Sequence, residues 1–166
     1  MTDQQSPSGS PTGDVPQVPY WHVWTDSDGI SRQTKCVLTS FKIPNAEAWT
    51  PGQQKWDFRG IWQGLEIEDD MKIIFLVQPV GWVGTWHENP APQWLIPVSG
   101  RWFVETMDGT RVEMGPGDLS LGEDQGCIMR DGKQGHLSGT VGDEPLVLMV
   151  VQMPKVIAPG QACPYI

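Results

Sequence analysis

His22, His87 and His136 are the only imidazoles in the chain. Imidazole is the side chain that ordinarily titrates nearest neutral pH, so each is a candidate general base. His87 lies in the stretch GWVGTWHENPAPQWLIPVSG, Gly81 to Gly100, with Asn89 and Gln93 following it. Alternation along an extended chain puts Val83, Thr85, His87 and Asn89 on one face, and Trp82, Trp86 and Glu88 on the other. If the next strand pairs with this one, Gln93 joins His87 and Asn89. Asn89 and Gln93 offer neutral carbonyl oxygens and amide donors. They can orient a substrate, or satisfy each other and the backbone in a buried polar network. His136 ends the Gly-rich stretch Gly132-Lys133-Gln134-Gly135-His136. Glu123 and Asp124 read as solvated turn residues first, with a role behind the site residues as the lesser alternative, and Glu88 as a surface charge. Cys127 has no thiol-activating base beside it in sequence, so no nucleophilic role is assigned to it. No Gly-x-Ser-x-Gly elbow, P-loop, dinucleotide fingerprint or His-Glu-x-x-His pattern is present, which leaves hydrolase triads and nucleotide cofactors without support.

The elements that must hold these residues read as β. Asp26-Ser27-Asp28-Gly29 separates Tyr20–Thr25 from Ile30–Phe41, and its Asp-Gly step predicts a hairpin. Residues 44–54 read as a loop and Lys55–Gln63, with Trp56, Phe58 and Trp62, as a strand. Met71–Gln78 is rich in β-branched and aromatic residues and predicts a further strand. Trp82–Asn89, Trp94–Ser99, Arg101–Thr106, Arg111–Met114, Leu119–Leu121, His136–Val141 and Leu146–Met153 follow, separated by Gly, Pro and Asp turns. No long segment carries a 3.6-residue apolar period, so the class is all-β: a sandwich, barrel or jelly roll. Trp86, Trp94 and Trp102 can stack a flat ligand or pack in the wall of the fold. Alternation favours the wall, or an interface, for Trp86 and Trp94.

Composition bounds the rest. With 166 residues, one domain is the default. Hydrophobic residues at 39% and charged residues at 19% are ordinary for a globular chain. The 19 Gly and 15 Pro argue for frequent turns over long helices. Eleven basic against 20 acidic residues give a net charge of −9, which disfavours nucleic acid and anionic membrane partners. No apolar run is long enough for a membrane helix. Residues 1–19 read as a disordered N-terminal arm without a secretory signal, 20–153 as the domain, and 154–166 as a tail lying over its surface. Three cysteines, an odd number with no Cys-x-x-Cys spacing, make a disulfide framework unexpected and fit a reducing cytoplasm.

In Gly81 to Gly100, five residues separate Gly81 from His87, one separates His87 from Asn89, three separate Asn89 from Gln93, and six separate Gln93 from Gly100. This spacing resembles the first motif of the cupin superfamily, with Asn89 where the family usually has a second His and Gln93 where it has Glu. Gly117-Asp118 resembles the turn opening the second motif. Gly122-Glu123-Asp124 and Gly132 to His136 resemble a longer form of that motif found in small bacterial cupins. His136 comes nineteen residues after Gly117, farther than is usual. The resemblance covers residues 71–153 and implies a single-domain β-jelly-roll barrel, paired as a homodimer. It implies a small, apolar or aromatic molecule bound inside the barrel, with His87 and His136 as catalytic residues. It also implies a divalent metal (Fe, Mn, Ni or Zn) held by His87, Asn89, Gln93 and His136, in a dioxygenase, isomerase or lyase. A third imidazole would require His22 to fold into the barrel. Because Asn and Gln lack the charge of the family's ligands, a metal-free enzyme or a non-catalytic ligand-binding protein is the alternative. A Trp-rich interaction surface is a further possibility.

Overall fold

The computed structural model describes residues 17–40, 70–154 and 160–164. The expected loop at 44–54 and strand at Lys55–Gln63 lie outside the described residues, as does nearly all of the expected N-terminal arm. Among the described residues nine strands are formed: β1 (Val18–Thr25), β2 (Ser31–Leu38), β3 (Lys72–Gln78), β4 (Gln93–Ser99), β5 (Arg101–Thr106), β6 (Arg111–Met114), β7 (Ser120–Glu123), β8 (His136–Val141) and β9 (Leu146–Gln152). The all-β class is observed, with no helix among the described residues. The strands make a six-stranded sheet in the order β2-β1-β7-β4-β9-β3 and a three-stranded sheet in the order β6-β5-β8. All pairings are antiparallel except β1 with β7, which is parallel.

The turn chemistry explains the register. Asp26 Oδ1 accepts the backbone N–H groups of Asp28 and Ile30, and Gly29 takes a φ of +74°, so β1 and β2 meet as the expected hairpin. Between the sheets lies one apolar core, with Val23, Leu95, Leu146, Leu148 and Val150 from the large sheet and Trp102, Val104 and Met114 from the small one. Residues paired across strands share a face. Trp102, Val104 and Thr106 of β5 therefore stand beside Thr140, Ser138 and His136 of β8 on one side of the small sheet.

The other face of the large sheet carries a second core of Tyr20, Cys36, Leu121 and Met153, with Trp94 packed against it. Tyr20 and Trp94 meet edge to face, with ring centroids 5.2 Å apart. Cys163 packs against this core. Contrary to the cysteine arithmetic, Cys36 and Cys163 are joined in a disulfide across 127 residues, and Cys127 is the free, buried thiol. The Cys163 backbone N–H donates to His22 Nδ1 at 3.1 Å, and His22 Nε2 lies 3.2 Å from Glu123 Oε2. His22 is thus buried in this second core, away from His87 and His136.

Edge strand β3 departs from the usual half-buried pattern. Ile73, Phe75 and Val77 are 61%, 65% and 68% exposed, so its outward face is apolar and open. Its other side faces the space between the sheets.

Candidate functional site

Trp82–Asn89 does not form the expected strand. It is an irregular segment touching β8 through two isolated bridges, Val83 with Gly139 and His87 with His136. At the second bridge both backbone hydrogen bonds form: the His87 N–H donates to the His136 carbonyl at 3.0 Å, and the His136 N–H to the His87 carbonyl at 2.8 Å. Gly135 permits this. It adopts a φ of +75°, and a Cβ there would collide with the His87 carbonyl. Ser31, at the start of β2, holds the same corner by donating to the Gly135 carbonyl at 2.6 Å while accepting the Met107 N–H. The backbone therefore sets the two imidazoles side by side, with ring centroids 4.5 Å apart and planes tilted by 50°.

Each ring has its tautomer fixed by what faces Nδ1. His87 Nδ1 lies 2.7 Å from the Thr85 carbonyl oxygen, which can only accept, so Nδ1 carries the proton and Nε2 is the basic nitrogen. His136 Nδ1 lies 2.7 Å from Asp124 Oδ2, so the same holds there. Asp124 is fully buried. Its other oxygen, Oδ1, accepts the Asn89 backbone N–H at 2.9 Å and the Asn89 side-chain amide at 2.6 Å. Burial alone would raise the Asp124 carboxyl. The hydrogen bond and charge of His136, with the two donors of Asn89, overcome it and hold the group below the ordinary carboxylate range.

The carboxylate also sets the direction of everything behind it. Asn89 must turn its NH2 toward Asp124, which leaves Oδ1 to accept Gln93 Nε2 at 2.7 Å. Gln93 Oε1 then accepts Gln152 Nε2 at 2.9 Å. Five side chains form one relay: His136, Asp124, Asn89, Gln93 and Gln152. Gly122, paired with Gln93 across β4 and β7, leaves room for it, since a Cβ there would strike the Asn89 amide. Gln125 secures the segment from outside by donating to the Asn89 carbonyl at 2.9 Å. Glu88 does not stand free at the surface: it is half-buried, and its Oε1 accepts the Cys127 N–H at 2.7 Å.

These groups sit at one end of a pocket of about 610 Å³ between the sheets. His87, Asn89, Gln93 and His136, the four residues singled out from the sequence, all line it, and its waist is Ile74, Leu76, Leu95, Leu148 and Val150. Of the three tryptophans, Trp102 lines it, whereas Trp94 belongs to the second core and Trp86 lies under the Lys133 ammonium, 4.7 Å from its ring centre. Asp124 and Glu123 are the residues the sequence reading placed wrongly. Both are buried, at 0% and 4% exposure, rather than solvated. Strand alternation through β7 carried the missing signal, because it turns Glu123 to the second core and Asp124 to the pocket end. Cys127 donates to the Asp124 carbonyl at 3.2 Å, and burial pushes its thiol up, which keeps it protonated and unreactive.

The donors do not fit a first-row cation as the resemblance would have them. Asn89 Oδ1 and Gln93 Oε1 are neutral and each already accepts an amide hydrogen, and both Asp124 oxygens are hydrogen-bonded, so none of them is a strong ligand. Two imidazole nitrogens remain, whereas a tight protein site usually supplies three or four ligands. Among the described residues no group of three or more His, Cys, Asp or Glu could hold a metal ion. No protein-family model matches the chain, and no curated protein is significantly similar to it.

Proposed function

We propose that this protein is a cupin-type jelly roll that binds a small, largely apolar molecule between its sheets and moves a proton on it, as an isomerase or lyase does. The observation that carries this reading is the buried Asp124–His136 pair, 2.7 Å apart, with His136 at the end of a pocket whose waist is apolar. Asp124 would hold the His136 ring so that Nε2 takes the proton, and would stabilise the imidazolium that results. The imidazolium would then return that proton from His136 Nε2 to a neighbouring atom of the molecule, and His87, whose ring adjoins that of His136, would position the molecule by accepting a hydrogen bond at its basic Nε2. Neither step is routed through a metal. The matched spacing of the first motif and the two-sheet architecture support the jelly-roll assignment.

The test is deuterium incorporation from heavy water into a panel of neutral carbonyl compounds, with wild type beside His136→Gln. Loss of about 10²–10⁴-fold is expected for the variant. Exchange that persists in His136→Gln overturns the base assignment. Stoichiometric binding without exchange on any panel member favours the second reading, a non-catalytic ligand-binding protein. That reading draws on the apolar lining and on the amides already committed to one another.

The open apolar face of β3 supports pairing of two copies as a homodimer, which light scattering of wild type beside Phe75→Asp would test. Among the described residues no helix is long and apolar enough to cross a membrane. The cytoplasmic expectation leaned on the absence of a disulfide, and the Cys36–Cys163 bridge removes that ground.

A further inference from the structure

The pocket has a second polar pole, opposite the histidines. The Trp102 indole N–H is buried and has no acceptor among the described residues, although Trp102 lines the pocket and is only 2% exposed. Gln78 Oε1, also in the lining residues, is buried without a donor. The strand registers put both at the same end. Gln78 pairs with Leu146, whereas Gln93 pairs with Gln152 at the far end of β9. Trp102 pairs with Thr140, whereas Thr106 pairs with His136. Four residues of antiparallel strand separate Trp102 from the His136 position, about 13–14 Å of backbone. Between the poles the wall is mainly aliphatic, broken by Ser138. No Lys or Arg is among the described lining residues, and Glu88 adds an acid near the histidines.

Buried donors in folded proteins are nearly always satisfied, and an unpaired donor on a residue that lines a cavity fits a ligand that completes it. We propose that Trp102 is a specificity-determining residue. Its indole N–H receives a hydrogen-bond-accepting oxygen on an uncharged, elongated, mainly apolar ligand whose other end reaches His136. This rests on the pocket of the proposed function and names the substrate class that fits it. An anion is disfavoured because no Lys or Arg among the described lining residues offsets its charge. A plain hydrocarbon is disfavoured because it leaves the N–H open.

A matched set of probes tests this in the full-length protein: butylbenzene, 4-phenylbutan-2-one and 4-phenylbutanoate, followed through the indole N–H resonances of ¹⁵N-labelled protein. The ketone is expected to bind about tenfold more tightly than the hydrocarbon, the worth of one net hydrogen bond, and the carboxylate more weakly than the ketone. The ketone should move one indole N–H resonance downfield, and that resonance should be missing in Trp102→Phe. The variant should keep its affinity for butylbenzene and lose the preference for the ketone. Equal affinities in wild type, a preference for the carboxylate, or a ketone preference that survives in Trp102→Phe each overturn the proposal. Should the variant fail to fold, the wild-type resonance decides, since an unmoved indole N–H at saturating ketone is equally fatal. His136→Gln should leave the ketone preference intact, so the failure of the proton-transfer reading and the failure of this one give different results.

Discussion

Replacing Asp124 by Asn changes one atom at the centre of the relay. The carboxylate accepts three hydrogen bonds, from His136 Nδ1, the Asn89 backbone N–H and the Asn89 amide. An amide in its place keeps one accepting oxygen and presents an NH2 on the other side. If the oxygen stays with Asn89, the NH2 faces His136 Nδ1. The ring must then move its proton to Nε2, and the basic nitrogen disappears. If the amide is reversed, the NH2 meets the two Asn89 donors and strands them in a buried site. One charge-assisted bond is lost either way, and an orphaned donor adds to the loss, so the cost is about 2–4 kcal/mol. For a chain of this length that is a fall in Tm of roughly 5–15 °C. The pH dependence supplies the sign. A carboxyl held below its ordinary value stabilises the fold fully above about pH 4, and that contribution is lost as pH falls through the folded-state value. The difference in unfolding free energy between wild type and Asp124→Asn should therefore be flat above pH 5 and shrink in acid. Denaturant unfolding at a series of pH values measures it. A variant that melts within a degree of wild type at pH 7, or a difference that grows toward low pH, would refute the account of Asp124.

Three further outcomes test the corner that holds the site and the fold around it. Gly135→Ala places a methyl group against the His87 carbonyl at a φ of +75° and should open the His87–His136 bridge, lowering stability by about 2–4 kcal/mol in urea unfolding. Breaking the Cys36–Cys163 disulfide, which closes a span of 127 residues, should cost about 2–5 kcal/mol. Thiol titration should find no reactive cysteine in the native protein and one after unfolding without reductant, because Cys127 is buried.

Much of the strand order was readable because turns announced themselves. The Asp26–Gly29 hairpin and the Gly100 break between β4 and β5 rest on local backbone chemistry, which a sequence displays directly. Trp82–Asn89 failed as a strand because its partner, β8, meets it at only two points, and that limit comes from tertiary geometry. Asp124 was missed for a related reason. Gly-Glu-Asp is turn-like in type, yet β7 runs into it between β1 and β4 and ends at Glu123, and the burial comes from those neighbours. The disulfide joins cysteines at opposite ends of the chain, and no spacing rule reaches that far. By contrast, the grouping of His87, Asn89, Gln93 and His136 was legible, and so was the buried polar network of Asn89 with Gln93. What the spacing did not show is that the carboxylate of Asp124, just after β7, supplies the charge in that network.

That displacement makes the two departures from the resembled motif a coupled pair, and Gln93→Glu tests the coupling. Gln93 gives a hydrogen to Asn89 Oδ1 and receives one from Gln152. An ionised Glu there sets oxygen against Asn89 Oδ1, and turning Asn89 over only moves the clash to Asp124. Position 93 is 6% exposed, so the new carboxylate has little water to fall back on. It escapes by staying protonated, with its O–H donating where the amide did, which raises its folded-state pKa. The sign is opposite to that of Asp124. A raised acid leaves the fold undisturbed below the unfolded value of about 4.3, and costs about 1.4 kcal/mol for each pH unit above it until the folded value is reached. A folded value near 7 gives a deficit of roughly 3–4 kcal/mol at pH 7, and of almost nothing at pH 4. Unfolding of Gln93→Glu across that range, with and without added Mn²⁺, Ni²⁺ or Zn²⁺, separates the two pictures. If the residues converge on a cation position, as in the motif they resemble, restoring the Glu completes a ligand set, and the metal raises the Tm of the variant. If they form the relay described above, the metal leaves the Tm unchanged and the deficit grows with pH.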